Sequence, residues 1–589
     1  MKKILLSMLV GLLAVAGLET KAQVVGFVTH PTAARGNLEI GIMASGWGVS
    51  LDTITRSGRL VVGRSTGGTA AGDSLGCDTT LLNPANMAGK IVVLYRGACE
   101  FGTKALAAQR AGAIGCVIIN NQATMINLAG GGNGINITIP VVLITQADGA
   151  RLRPFIDNDS TVALIGQKRG FFANDFGFVA GNIIRPIDWS VPFTQAERAN
   201  DYVLKLGAQV VNYGQNAQTN VNLNVKVDFT NPAGATSTIY NQNGTLASLP
   251  KDSTRGITTP DLDLNAFGKG RYTITYTATS ANADDFTGDN TNVQTLVLSD
   301  SIYSKARVDS VGNPFLSGGI RPSDATAGPY DFGIWFYAKR GHRVKVEKLK
   351  FAFVTNAGFN MINETVVGKV QQWIDADQNS AIDPGELLEL GEGFYTYNDS
   401  LGSNSVREVV IEDINTSTPG VKLDSNGVFL ISVAYTGTQT GIFTCVDPQM
   451  DYSASIVPYN QYVSPVFVAT WNPTGFGPTR VPSISAVTSV VAAPNTSVEN
   501  NQRNDMNIRV YPNPARNDVF VRLSAESMIG KVNYEVMDIT GRVVMSGEKM
   551  IDGFSDQINL SVAGMQQGVY TVVTKTAKGF NSSRFVVTK

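Results

Sequence analysis

Two Gly-x-Ser-x-Gly stretches, Gly63-Arg64-Ser65-Thr66-Gly67 and Gly72-Asp73-Ser74-Leu75-Gly76, place serines in the spacing of a hydrolase nucleophile. Such a serine works on a sharp turn between a strand and a helix, with a histidine to take its proton. Leu60-Val61-Val62 supplies a strand before Ser65, but Gly67-Gly68-Thr69-Ala70-Ala71-Gly72 follows it with loop chemistry, and Ser74 lies in a Gly-rich loop ahead of Cys77. His30 and His342 are the only two histidines in 589 residues, and His342 sits in the turn Arg340-Gly341-His342-Arg343-Val344. Two isolated histidines, with no His-Glu-x-x-His, leave a zinc hydrolase without its usual ligands. Cys116, inside an apolar strand, and Cys445, in Ile442-Phe443-Thr444-Cys445-Val446, read as inert core thiols. Nothing marks a carboxylate pair for glycoside hydrolysis, although such pairs are distant in sequence. The chain is therefore expected to be no enzyme.

The sharpest chemical pattern is acidic. Asp375-Ala376-Asp377-Gln378-Asn379-Ser380-Ala381-Ile382-Asp383-Pro384-Gly385-Glu386 puts side-chain oxygens at loop positions 1, 3, 5, 9 and 12, with apolar Ile382 at position 8. Hard Ca²⁺ takes about six to eight oxygens, so Asp375, Asp377, Asn379, Asp383, the carbonyl of Ala381 and a bidentate Glu386 form the expected ligand set. The stretch resembles EF-hand-like calcium loops. It departs from them twice: Ser380 replaces the turn glycine, and Val366 to Ile374 before it reads as a strand rather than a helix. The alternative is a solvated acidic turn between strands.

Gly89 to Asn121 has the outline of a nucleotide-binding unit: an apolar strand at Ile91 to Tyr95, a turn, a helix, and a second apolar strand at Cys116 to Ile119. Phe101, Ala105, Ala108 and Gly112 recur at helical spacing, with Thr103 and Arg110 on the other face. A phosphate loop needs glycines opening the helix, and Arg96-Gly97-Ala98-Cys99-Glu100-Phe101 fits neither known spacing. The stretch instead resembles the protease-associated (PA) domain. The pattern runs through Cys77-Asp78, Gly89-Lys90-Ile91-Val92, Arg96-Gly97-x-Cys99-x-Phe101, Lys104, Ala111-Gly112-Ala113-x-Gly115, Ile118-Ile119-Asn120-Asn121 and Ile139-Pro140-Val141-Val142, across roughly residues 50–166. The resemblance implies a β-sandwich-like module with flanking helices that binds an extracellular protein or peptide and has no catalytic residues. It also implies kinship with modules set beside peptidase domains.

The elements that carry these patterns are mostly β. Sixty glycines and short alternating apolar runs point to strands joined by tight turns, and the length predicts about three to five domains. Near-balanced charge, 47 Lys+Arg against 48 Asp+Glu with no basic stripe, argues against nucleic acid as a partner. Lys2-Lys3, the apolar Ile4 to Leu18 and Thr20-Lys21-Ala22 read as a signal peptide over residues 1–22, and no later run is long enough for a transmembrane segment. Export permits disulfides, and Cys77 and Cys99, both in turns, are expected to pair.

Residues 23–170 are read as the PA domain with an N-terminal extension, and residues 171–301 as an Ig-like β-sandwich on alternating runs such as Asn222 to Phe229 and Tyr272 to Thr277. Val211-Asn212-x-Gly214, Gly270-x-Tyr272 and Asp289-Asn290-x-Asn292 resemble the bacterial cell-adhesion-related Ig-like domain, which implies an adhesive module or a spacer. Residues 302–485 are expected to form a jelly-roll-like sandwich, with Trp373 and Trp471 either in its core or stacking on a glycan. Residues 486–507 read as a polar linker. After them, Tyr511-Pro512-Asn513-Pro514, Asp538-x-x-Gly541-Arg542, Gly568-Val569-Tyr570 and the closing Arg584-Phe585-Val586-Val587 resemble the C-terminal sorting domain of type IX secretion substrates over residues 508–589. That resemblance implies a C-terminal β-sandwich, handling by the type IX secretion machinery, and passage through the periplasm and outer membrane to the cell surface or the medium.

Overall fold

Ile91–Tyr95, Gly115–Ile119 and Val141–Ile144 are apolar at nearly every position because both faces of their sheet are covered. The computed structural model describes residues 23–44, 46–65, 74–322, 328–375, 377, 379–383, 385–398, 405–491, 507–524, 530–551, 557–576 and 579–589; the expected signal peptide lies outside them. The three strands join Thr55–Val62 in parallel, and Val162–Gln167 and Val24–His30 extend the sheet antiparallel. Alternation divides the side chains between two cores. Val92, Leu94, Cys116 and Ile118 pack with Ala105 and Ala108 of the helix Phe101–Arg110, while Ile91, Val93, Val117 and Ile119 pack with Leu152 and Ile156 of the helix Gln146–Asp157. The module is thus one mixed sheet with a helix on each face, not two packed sheets. Gly112 stops the first helix with φ +79°, a conformation open to glycine.

From Phe176 to Val490 the chain is sandwich, antiparallel except where Ser190–Pro192 runs parallel to Thr291–Ser299. Val221, Leu223, Val225 and Val227 of Gln218–Thr230 point inward at every second position, as do Tyr272, Ile274, Tyr276 and Ala278 of Gly270–Thr279. The boundary drawn at 301/302 is not a structural break. A ten-stranded sheet runs from Thr236–Leu249 through Thr291–Ser299, Ser190–Pro192 and Ile302–Ser304 to Ile484–Val490, Val344–Phe351 and Arg407–Val410. One apolar core extends from Phe176 to Ala486. The expected linker also starts too early: Ile484–Val490 pairs with two strands and Ala486 is fully buried, so residues 486–490 belong to the sandwich. Residues 492–506 lie outside the described residues.

Burial of charge joins the first module to the sandwich. Lys168 is wholly buried, and its Nζ donates to Asp175 and, at 2.8 Å, to Asp289. The same ammonium lies 4.3 Å from the ring centroids of both Tyr213 and Phe286. Phe286 packs in turn on Phe27 and Phe172. One cation thus faces two buried carboxylates, and among the described residues Asp175 Oδ2 and Asp289 Oδ1 have no hydrogen-bond partner.

Residues 507–589 form a separate unit of two small sheets. Asn507–Tyr511, Asp518–Ser524 and Gln557–Ser561 make one sheet; Val543–Ile551, Gly530–Met537, Gly568–Thr576 and Gly579–Val587 make the other. Val519, Val521, Val536, Leu560, Val572 and Phe585 fill the space between them.

Candidate functional site

In the PA-like module the parallel strands end along one edge, the usual place for ligands in such sheets. Arg96, half-buried, follows Ile91–Tyr95, and its Nη1 donates at 2.9 Å to Oδ1 of Asn120, which follows Gly115–Ile119. Nδ2 of Asn120 donates to Thr124 O at 3.0 Å, which holds the exposed turn Asn121–Thr124 against the edge. Behind this edge Cys77 and Cys99 are joined in a disulfide, with Cα atoms 5.7 Å apart. Lys104, on the buried face of its helix, donates at 2.6 Å to Leu75 O and braces the same turn. Sequence reading places Lys104 in the family pattern but does not reveal this role, because a lysine on a helix is expected to be solvated.

The serines flagged by spacing differ from a nucleophile elbow. Ser65 is fully buried and its Oγ accepts from the Gly76 N–H at 2.9 Å. The carbonyl of Ser74 accepts from the Tyr95 N–H at 2.8 Å. His342 is exposed, and its Nδ1 meets the Ser425 hydroxyl, a contact that no motif flags because 83 residues separate the two. Burial pushes the thiols of Cys116 and Cys445 up to about 12, which keeps them protonated and inert at neutral pH.

The acidic loop is the hairpin connection between Thr365–Trp373 and Leu387–Thr396. It gathers Asp375, Asp377 and Glu386, whose carboxylate oxygens lie within 4.8 Å of one another. Backbone N–H groups of Asn379 and Ser380 donate to Asp375 at 3.2 Å each. Ser380 takes φ +61°, the left-handed turn that glycine supplies in the resembled loops, so the substitution keeps the path. Nδ2 of Asn379 donates to Asp383 at 2.7 Å, and Asp383 stands outside the carboxylate trio. The N–H of Ala381 donates to Asn379 Oδ1 at 2.6 Å. Glu386 also accepts from Trp373 Nε1 at 3.2 Å.

In the C-terminal unit, Tyr511 is part-exposed and bonds Gln557 at 3.1 Å. Past Pro512, Asn513 accepts from Val586 N–H at 2.9 Å, and beyond Pro514 buried Ala515 bonds Val586 O at 2.8 Å. The motif at the chain's start of this unit is thereby pinned to its last strand. Asp538 accepts from Thr540 and Arg542 N–H groups across a turn in which Gly541 has φ +84°. Gly568 opens the strand in which Tyr570 stacks on Phe585, ring centroids 5.9 Å apart.

Two family models match this chain: PA domain over residues 56–152, and Secretion system C-terminal sorting domain over residues 509–588. The chain carries a PA domain and a type IX sorting domain. The sorting domain marks it for export to the cell surface or for secretion. Among curated proteins, the chain is 39% identical over 84 residues to Leucine aminopeptidase 2 of Arthroderma otae, covering 14% of this chain and 16% of that one. It is 35% identical over 79 residues to Signal peptide peptidase-like 2 of Arabidopsis thaliana, covering 13% and 15%. The chain thus spans about one sixth of the length of these relatives. Among solved structures, an aminopeptidase from Aneurinibacillus sp. strain AM-1 overlaps 25% of this chain and 30% of its own at 22% identity, with a TM-score of 0.19. Among the described residues no helix is long and apolar enough to cross a membrane.

Proposed function

We propose that this exported chain is a modular binding protein whose PA domain holds an extracellular protein or peptide and which performs no reaction itself. The observation that carries this reading is Ser65: a serine in nucleophile spacing that is sealed from solvent and engaged by the Gly76 amide. The strand-end edge supports it, since Arg96 and the Asn121–Thr124 turn offer hydrogen bonds of the kind an extended peptide uses. A second reading, an accessory or degenerate member of an extracellular peptidase system, is favoured by the partial matches to aminopeptidases.

The test is retention of the labelled full chain on an array of peptides from extracellular proteins. Arg96→Ala should weaken retention about tenfold, the usual worth of a charged hydrogen bond, without changing the fold. Equal retention by wild type and variant would remove the strand-end edge as the binding surface.

The same reading includes Ca²⁺ in the acidic loop, for which Asp375, Asp377 and Glu386 would be the anionic ligands and Asn379 a neutral one. Its chemistry there would be to offset three converging negative charges and so lock the hairpin. Millimolar Ca²⁺ should raise the melting temperature of the protein through preferential binding to the folded state. Asp375→Ala combined with Glu386→Ala should abolish that rise; an identical rise in the double variant would leave the loop as a plain turn.

A further inference from the structure

One face of a seven-stranded sheet, in which Leu387–Thr396, Thr365–Trp373, Gly427–Tyr435 and Tyr330–Ala338 lie side by side, is anomalous. Its inner face sends Phe429 and Ile431 into the main core. The opposite face of an antiparallel sheet is expected to be polar where it meets water. Register puts Trp335 opposite Leu430, and Tyr337 and Trp373 opposite Val428, so three aromatic residues share this outer face. Trp335 and Trp373 stand with ring centroids 5.1 Å apart, and Tyr462 closes over Trp335 at 6.4 Å. Tyr337 is 44% exposed.

These rings line a cavity of about 310 Å³, at the lower end of the range for small-ligand sites. Asp375 lines it too, and Tyr462 donates at 3.0 Å to the Ser380 carbonyl, so the cavity is built against the acidic hairpin. Two of its lining residues have polar atoms with no hydrogen-bond partner among the described residues: Trp335 Nε1, in a side chain only 2% exposed, and Gln461 Oε1. A buried donor and a buried acceptor without partners cost stability and call for an explanation; at these two, a ligand in the cavity would supply one. Among the described residues that line the cavity there is no lysine or arginine, and the one charged group is the Asp375 carboxylate, which disfavours a phosphate or another anion.

We infer that this cavity is a binding site for a neutral sugar ring of an extracellular glycan. The C–H face of a pyranose stacks on indole and phenol rings, and each hydroxyl both accepts and donates, which matches an unspent N–H, an unspent amide oxygen and the Asp375 carboxylate. A quaternary ammonium would suit the rings and Asp375 but would leave the Trp335 donor unsatisfied. The site is separate from the PA domain, so it stands or falls independently of peptide recognition.

The experiment uses the labelled full chain on a printed array of defined neutral oligosaccharides, followed by titration of the retained glycans and of choline against tryptophan fluorescence. At least one glycan should be retained and should shift the emission, while choline should not. Gln461→Leu should weaken glycan binding by about tenfold or more, as expected for a lost hydrogen bond to a hydroxyl. Its melting temperature should not fall, because an apolar side chain there replaces an unpartnered acceptor. Tyr337→Ala, on the exposed rim, supplies a second variant with the same expected loss should Gln461→Leu fail to fold. Retention of no glycan, a choline response equal to that of the glycan, or unchanged glycan binding by the folded variants would each overturn the assignment.

Discussion

Lys168→Met should destabilise the 23–491 unit by about 3–5 kcal/mol at pH 7.5, the largest effect expected of any single substitution in this chain. Methionine fills the lysine's volume but removes the cation from the buried Asp175 and Asp289, each of which already has one oxygen without a donor among the described residues. Burial raises Asp175 from its ordinary 3.8 to about 7, against the pull of Lys168 and with a further push from Asp289. Burial likewise raises Asp289 to about 6. The sign follows from linkage. A carboxyl that holds its proton more tightly when folded penalises the folded state increasingly as pH rises from the unfolded value near 3.8 to the folded value near 7. The variant should therefore recover much of its loss on acidification to pH 5, where both carboxyls can stay neutral. Lys168→Met combined with Asp175→Asn and Asp289→Asn should recover most of it at every pH. Denaturant melts at pH 5 and 7.5 check both. A loss that does not change with pH would mean that packing on Tyr213 and Phe286, rather than charge, is what Lys168 supplies.

The second large effect concerns the PA turn. Cys77→Ser with Cys99→Ser opens a loop spanning 22 residues, and loop-closure entropy puts the cost at about 3 kcal/mol. The bridge holds the segment that Lys104 braces through Leu75 O, so the loss should appear first as faster amide exchange over residues 74–99. Reduction of the wild type should reproduce it. Cys116 and Cys445 are buried and should stay unlabelled by thiol reagents until the chain unfolds. Unchanged stability and exchange in the double variant would mean that the segment is held by its hydrogen bonds alone.

Local features were legible from residues alone. The helix at Phe101–Arg110 follows from its spacing and its terminal glycine, the inward alternation of Gln218–Thr230 from period two, and the pairing of Cys77 with Cys99 from turn chemistry and export. The convergence of Asp375, Asp377 and Glu386 follows from a short loop. What escaped depends on register and long separation. Lys168 meets Asp289 across 121 positions, and neither residue carries a local sign of burial. The sheet that crosses position 301 forms because Ile302–Ser304 pairs with Ile484–Val490, whose residues 486–490 read as the start of a polar linker. Trp335 lies in a run apolar at almost every position, so only pairing with Leu430 shows which face its ring occupies. Ser380 looked like a defect in the acidic loop, yet its backbone takes the left-handed turn without glycine.

Recognition without hydrolysis can be read from the fate of a captured peptide. The exported full chain would be incubated overnight with the array peptides it retains, in the presence of Ca²⁺, and the eluted peptides weighed by mass spectrometry. Every retained peptide should be recovered with both termini intact. Recovery of peptides shortened from the amino terminus, in amounts that grow with time and protein concentration, would contradict it.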